Sequence, residues 1–370
     1  MNVILDNIVF SLQKQGGISV FWYELLNRIM QDADFSCKFI DFSNENIFRK
    51  QLDIPLSNLL DVRLNKLPVK IQRYVNPTIK EKGIFHSSYY RAAKGSLVCN
   101  VTTVHDFTYE YYFKGLPKLV HHAQKKNAIL NSKKVICVSN NTKTDLLKFY
   151  PNLKEQQIEV IYNGVSDDYF PLLGGDSSFL DSTFGPDFKE YVLFVGKRED
   201  GYKNFDMVVD ACKLTKSKLL IVGGGHLSKV EVVMLDSKLG LHQYKQIAGV
   251  TNEQLNLIYN NAAFLVYPSL YEGFGISILE AQKSGCPVIC SNSSSIPEIA
   301  GNGAYLVENI SALKIAELLL QNKSRNDITK SIVEQGYLNS QLFSWDKCYK
   351  QVKQVYLEII PSLFNHSYFF

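Results

Sequence analysis

The sequence predicts an α/β protein built from two doubly wound parallel sheets, and three observations carry that prediction. Short apolar, β-branched runs alternate with longer helical patterns along the chain, as βαβ units require. At 370 residues, 46% hydrophobic and 21% charged, the chain exceeds what one ordinary core encloses. The runs also fall into two sets, separated by GVSDDYFPLLGGDSSFLDSTFGPDF, a stretch rich in Gly, Ser, Asp, Phe and Pro that follows neither period.

The first set of strand candidates is NVIL, CKFID, GIFHSS, LVCNVTTVHD, KVICVS and IEVIY. The second is YVLFVG, KLLIVGG, YKQIAG, AAFLVYPS, CPVICS and GAYLV. The expected division is residues 1–170, residues 171–345 and a terminal helical segment, 346–370, containing the periodic DKCYKQVKQVYLEII. Doubly wound sheets bind ligands outside the carboxyl ends of their strands, so two of them facing each other make a cleft.

Composition narrows the class. The amino terminus has no basic region followed by a small-residue cleavage site, and no apolar run is long enough to cross a bilayer, so a cytoplasmic protein is expected. Seven scattered cysteines without a CxxC pair read as reduced thiols rather than a metal ribbon or a disulfide framework. Residues 1–170 carry 22 Lys+Arg against 16 Asp+Glu; the remainder carries 18 against 20. Seven lysines and no acid lie between Tyr111 and Thr144, and Arg63, Lys66, Lys70, Arg73, Lys80 and Lys82 line an earlier segment. An anionic partner such as a membrane surface fits this excess, and so do solvated helices. No nucleic-acid partner is expected.

Several loops carry candidate chemistry. Gly16 and Gly17 precede an amphipathic helix, where glycine lets backbone approach a ligand and helix N–H groups face an anion, although the same pair serves in ordinary turns. After YVLFVG, whose last residue is Gly196, come Lys197, Arg198 and Lys203, able to grip a diphosphate from two sides or simply to form a solvated basic loop. YEGFGISILE places Glu272 before a tight turn and Glu280 on the following helix, whose first amides at Phe274, Gly275 and Ile276 are suited to phosphate or sugar. A glycoside hydrolase would need its two acids to flank one bond; a pair separated by a helix N-terminus is better suited to hydroxyls at two places, and a helix-capping glutamate plus a solvent-facing one accounts for it equally simply. Gly223 ends another strand in LIVGGGH, and His105 and Asp106 end LVCNVTTVHD. Asp32-Ala33-Asp34 spells a DxD motif but falls in a turn between a helix and a strand, which makes it a polar turn.

Taken together, GGISVFWYEL, VHD, VSNNTKTDL, YNGVSDDYF, VGKREDGYKN, GVTNEQLNLIYNNA and PSLYEGFGISILEAQKSGCPVICSNSSSIPEIAGNGAYLV resemble the retaining GT-B glycosyltransferases of family 4, over nearly the whole chain. The resemblance implies a fold of two Rossmann-like domains with the last helix crossing back to the N-domain. It places the family's E-x7-E pair on Glu272, beside the transferred sugar, and Glu280, on the nucleotide ribose. Arg198 and Lys203 fall on the cationic pair that holds the donor diphosphate as it leaves. Phe274, Gly275 and Ile276 would give backbone contacts, and Gly196 and Gly223 would line the donor. Gly17, with Gly16 beside it, would approach the diphosphate, and His105 the donor sugar.

The expected activity is transfer of a hexose from a UDP- or GDP-sugar to a glycan or polyprenyl-diphosphate-linked acceptor in bacterial surface polysaccharide biosynthesis. The family mechanism calls for neither cofactor nor metal. Two competing classes are a nucleotide-sugar 2-epimerase of similar architecture, which would act on donor alone, and a non-catalytic sugar-nucleotide-binding protein. The cation pair together with EGFGISILE weighs against both. A cytoplasmic location or a peripheral one on the inner face of the plasma membrane follows from the same family.

Overall fold

The computed structural model of the chain describes residues 1–60, 68–172, 177–322 and 327–364. Two compact units result: Met1–Gly164 joined by the chain from Trp345 onwards, and Val165–Ser344.

The first unit runs β1 (Asn2–Asp6), α1 (Ile8–Leu12), α2 (Gly17–Ile29), β2 (Ser36–Ile40), α3 (Val69–Gln72), β3 (Gly83–Ser87), β4 (Val98–Val104), α4 (Thr108–Tyr112), α5 (Gly115–Leu130), β5 (Ser132–Cys137), α6 (Asn140–Phe149) and β6 (Ile158–Val160). Its strands pair in the order β2-β1-β3-β4-β5-β6, all parallel. The β-branched runs supply the buried strand faces, as a sheet covered on both sides demands: Ile4, Ile40 and Phe85 join Ile8 and Ile79 in one cluster. Six residues of α2, including Phe21, Trp22 and Leu26, point inward at helical spacing.

The second unit continues with α7 (Ser178–Phe184), β7 (Val192–Val195), α8 (Phe205–Thr215), β8 (Leu219–Val222), α9 (Lys229–Lys238), β9 (Tyr244–Ile247), α10 (Asn252–Asn261), β10 (Phe264–Tyr267), α11 (Ile276–Lys283), β11 (Val288–Ser291), α12 (Ile296–Ala300), β12 (Tyr305–Val307), α13 (Ala312–Gln321) and α14 (Asp327–Ser340). The parallel sheet has the order β12-β11-β10-β7-β8-β9. Val192, Phe194, Ile221, Phe264, Val266 and Ile289 bury one face of it beneath α8 and α13. All twelve sequence-predicted runs are strands.

The Gly-rich stretch expected as a linker is largely part of the second unit. Tyr169 meets Tyr259 edge-on, the Phe170 N–H donates to Asn256, and the Leu172 N–H to Asn260. α7 was unforeseen there because SFLDSTF is too short to show a period.

The last helix, α15 (Trp345–Phe364), belongs to the first unit. The Tyr356 hydroxyl meets His86 Nδ1 at 2.6 Å, and Asp346 accepts from Arg28 at 2.7 Å. Lys353 reaches both Asp32 and Asp34, and Tyr349 donates to Asp32. The DxD pair is thus a fastening for this helix. Lys353 and Tyr349 hold the Asp32 carboxyl down to about 2.

The basic excess of the first unit is partly internal. Lys125 is fully buried and donates to Glu110 and to the Asp106 carbonyl. Lys134 pairs with Glu159 and Glu358, and Lys143 with Glu155. Arg63, Lys66 and the Lys70 side chain lie outside the described residues.

Candidate active site

In the second sheet, β7 and β10 are neighbours, yet the chain leaves β7 toward β8 and passes from β10 to β11 on the other side. Such a switch point is where a doubly wound sheet opens a crevice at its carboxyl edge. The loops that follow β7 and β10 hold Arg198, Lys203 and Glu272, and they are stitched together. Leu270 N–H donates to the Tyr202 carbonyl at 2.8 Å, and Asn204 Nδ2 to the Pro268 carbonyl at 2.9 Å.

Across this seam Lys203 Nζ lies 2.7 Å from Glu272 Oε1, both side chains about 15% exposed. The ammonium also sits over the Tyr202 and Tyr267 rings, at 5.4 and 5.7 Å. The Glu272 backbone is fixed from the β11 side: its N–H donates to Ser294 Oγ, and Ser295 Oγ donates to the carbonyls of Glu272 and Phe274. Gly275 then caps α11 at φ +102°, a conformation that a side chain resists, and its position brings Ile276 into the first turn. The amides opening α11 therefore stand beside the Lys203–Glu272 pair, with the partial positive charge of a helix start.

Glu280 lies one turn into α11 and is half-buried. Tyr259 Oη donates to its Oε2 at 2.9 Å, while the Tyr169 hydroxyl donates to Asn252 Oδ1 at 3.4 Å and stands near enough to favour the charged carboxylate. Burial pushes the Glu280 carboxyl up to about 7, with the two hydroxyls pulling the other way. Neither tyrosine is legible as a site residue from sequence, since each reaches the helix from a distant segment.

Arg198 takes an unexpected position. Its side chain is 1% exposed; Nε donates to Glu231 at 2.6 Å, Nη1 to the Gly223 carbonyl at 2.8 Å, and Nη2 faces the carbonyls of Gly224, Gly225 and His226. Three consecutive glycines with positive φ make that convergence of carbonyls possible. Arg198 thus holds the turn that begins at Gly223. Gly196, at φ +139°, begins the Lys203 loop, and a Cβ there would lie 3.7 Å from Lys203 Cδ.

The remaining predicted residues belong to the first unit. Gly16 is extended and caps α2, while at Gly17 a Cβ would meet nothing within 4 Å. His105 follows β4 and packs edge-on against Phe21 of α2, ring centroids 5.1 Å apart. Burial, helped by Lys125 and opposed by Asp106, pushes the His105 imidazole down to about 4.

Residues 181–337 match the family model of glycosyl transferases group 1, and residues 47–169 that of Glycosyltransferase Family 4. The chain is a family 4-like glycosyltransferase. This glycosyltransferase is 26% identical to the O-antigen chain mannosyltransferase B of Escherichia coli over 267 residues, 69% of each chain. It is 27% identical to UDP-Gal:alpha-D-GlcNAc-diphosphoundecaprenol alpha-1,3-galactosyltransferase of Escherichia coli over 296 residues, 74% of this chain and 75% of that one. Among solved structures it superposes on Anabaena HepE in complex with UDP-glucose with a TM-score of 0.71 at 16% identity, covering 96% of this glycosyltransferase and 99% of HepE. That likeness gives the fold, GT-B. No described helix of the glycosyltransferase is long and apolar enough to cross a membrane.

Proposed function

We propose that the protein is a retaining, metal-independent hexosyltransferase that uses a UDP- or GDP-sugar and glycosylates a glycan or polyprenyl-diphosphate-linked acceptor during surface polysaccharide assembly. The observation that carries this is the Lys203–Glu272 pair at the switch point, beside the start of α11. One Escherichia coli relative is named for the O-antigen chain and the other for a diphosphoundecaprenol-linked acceptor, and HepE was solved with UDP-glucose.

Breaking the bond from the anomeric carbon to the diphosphate leaves an electron pair on the phosphate oxygen and positive charge on the sugar. Lys203 and the α11 amides offer fixed positive charge to that oxygen in a partly dry site, where it counts for more than in water. Glu272 offers an acceptor to the sugar, and Glu280 one to the ribose. The acceptor hydroxyl bonds the anomeric carbon from the face the diphosphate leaves, and its proton passes to the departing phosphate, so no dedicated protein base is required. Arg198 contributes through the turn it holds. Gly17 and His105 are assigned to the donor, and Gly16, Gly196, Gly223, Phe274 and Ile276 to backbone contacts, on the family resemblance.

Peripheral membrane binding belongs to the same proposal. On α5, Leu116 and Leu119 are 71% and 65% exposed, with Lys118 between them. Vesicles of anionic lipid should retain the protein and release the Leu116→Asp/Leu119→Asp variant.

A thermal-shift panel of UDP-, GDP- and ADP-sugars identifies the donor, because a ligand that binds only the native state raises its melting temperature. Transfer with that donor to a diphosphate-lipid acceptor should survive chelation and give a product with the donor's anomeric configuration. Epimer formation from donor alone, magnesium-dependent transfer, or an inverted product would each overturn a part of the proposal.

A further inference from the structure

Glu280 is an acid that must act as a hydrogen-bond acceptor from a half-buried place, and burial works against its ionisation. The groups facing it are tyrosines. Tyr259 comes from α10, with its hydroxyl 2.9 Å from Oε2, and Tyr169 comes from the segment that follows Gly164. Tyr267 of β10 interacts with it through charge alone. On its own helix, Lys283 is taken up by Asp167 at 2.5 Å. No cation contributes to the Glu280 environment among the described residues.

The two tyrosines are themselves fixed. Tyr259 is fully buried, and the rings of Tyr169 and Tyr259 meet edge-on, centroids 6.0 Å apart. Tyr169 Oη donates to Asn252 Oδ1 at 3.4 Å, so its hold on the Glu280 carboxyl is the weaker of the two. Asn252 is in turn held by Asp168 at 2.8 Å. Packing alone does not require a hydroxyl on the Tyr259 ring at this helix carboxyl; phenylalanine would fill the same space.

We infer that Tyr259, backed by Tyr169, is a positioning residue for nucleotide binding, whose hydroxyl holds the Glu280 carboxylate as a fixed acceptor for the ribose diol. The inference rests on the assignment of Glu280 to the ribose. Both phenols keep their protons well above neutral pH, so they remain donors throughout the range in which Glu280 titrates. A hydrogen bond donated to the charged form favours that form; losing one moves the carboxyl further up. Nucleotide affinity then becomes a reporter of the Glu280 charge.

Two measurements test this on the full chain. Carbon-13 NMR of labelled glutamate carboxyls follows the Glu280 titration directly, with Glu280→Gln assigning the resonance. Calorimetric titration with UDP and with GDP, repeated between about pH 6 and about pH 9, follows binding. Tyr259→Phe should raise the Glu280 midpoint by about one pH unit, weaken nucleotide binding about fivefold near pH 7 and restore it near pH 9. Tyr169→Phe should do the same to a smaller degree. Both variants should melt within a few degrees of the parent, because each loses one oxygen and no packing.

If Glu280→Gln binds either nucleotide as the parent does at every pH, the ribose assignment fails. If Glu280→Gln weakens binding but Tyr259→Phe and Tyr169→Phe keep the parent pH profile and Glu280 midpoint, the ribose assignment stands and the tyrosines are core residues. A loss of affinity in Tyr259→Phe that is equal at all pH values would also overturn the positioning role.

Discussion

Arg198 and Lys203 share a loop and a charge, and their surroundings give them different consequences. Arg198 donates to Glu231 and to the carbonyls of the turn after β8, from a position almost closed to solvent. Replacing it by alanine takes the ion-pair partner from Glu231, which keeps Ser228, and leaves several carbonyls unpaired, at a cost of about 2–4 kcal/mol. Calorimetry of Arg198→Ala should show a fall in melting temperature of roughly 5–15 °C for the second unit. Arg198→Lys should recover little of it, because an ammonium cannot fork across the same acceptors. Lys203→Ala leaves only Glu272 without its partner, so its melting temperature should change less. Turnover should instead fall about a hundredfold, the usual loss when one preorganised charge is removed from a leaving oxygen. Lys203 and Glu272 were legible in the sequence because each sits just beyond a strand whose run of apolar residues marks its carboxyl end. The partners that decide how Arg198 and Glu280 behave were not. Glu231 is 33 residues from Arg198 and Tyr169 is 111 from Glu280, and neither pattern nor period links such positions.

At the scale of elements, α11 ties the sheet to the chemistry. It starts at a residue with φ +102°, and a Cβ there would lie 3.4 Å from Ile278 Cδ1. Gly275→Ala should cost about 1–2 kcal/mol of backbone strain and shift the amides that open the helix. Steady-state kinetics of that variant should show a larger loss in turnover than its modest destabilisation explains, and donor affinity should fall with it. Strand positions were readable because parallel strands buried on both faces are continuous apolar runs, and YVLFVG, KLLIVGG and AAFLVYPS all became strands. α7 was not readable, since seven residues around Leu180 present one buried position and no repeat. The place of the segment from Val165 is not readable for a related reason: polar loop composition says nothing about Asn256 and Asn260, which accept the backbone N–H groups of Phe170 and Leu172.

For the whole molecule, the buried histidines of the first unit and Glu280 of the second respond to acid with opposite signs. In the first, burial pushes His86 down to about 3, His105 to about 4 and His121 to about 3. A histidine whose folded value lies below its unfolded value binds fewer protons when folded, so its contribution is complete above about 6.5 and is lost as pH falls toward the folded value. At about pH 5 this amounts to at most about 2 kcal/mol for each histidine. In the second unit Glu280 is raised to about 7, and it binds more protons folded than unfolded between the two values. Its contribution is fully present below about 4.5 and is lost as pH rises through about 7, roughly 3 kcal/mol in all. Acid therefore weakens the first unit at its histidines and relieves the second at Glu280, with Asp6 and Glu231 opposing each trend. The sequence supplies the means to see this, because both tryptophans, Trp22 and Trp345, belong to the first unit and are buried there. On stepwise acidification from about pH 8, tryptophan fluorescence should report unfolding at a higher pH than far-UV circular dichroism, which averages over both units. Glu280→Gln should leave the fluorescence transition in place and raise the stability of the second unit near pH 8. Coincident fluorescence and dichroism transitions, in parent and variant alike, would mean that the two units unfold as one and that their buried groups do not act separately.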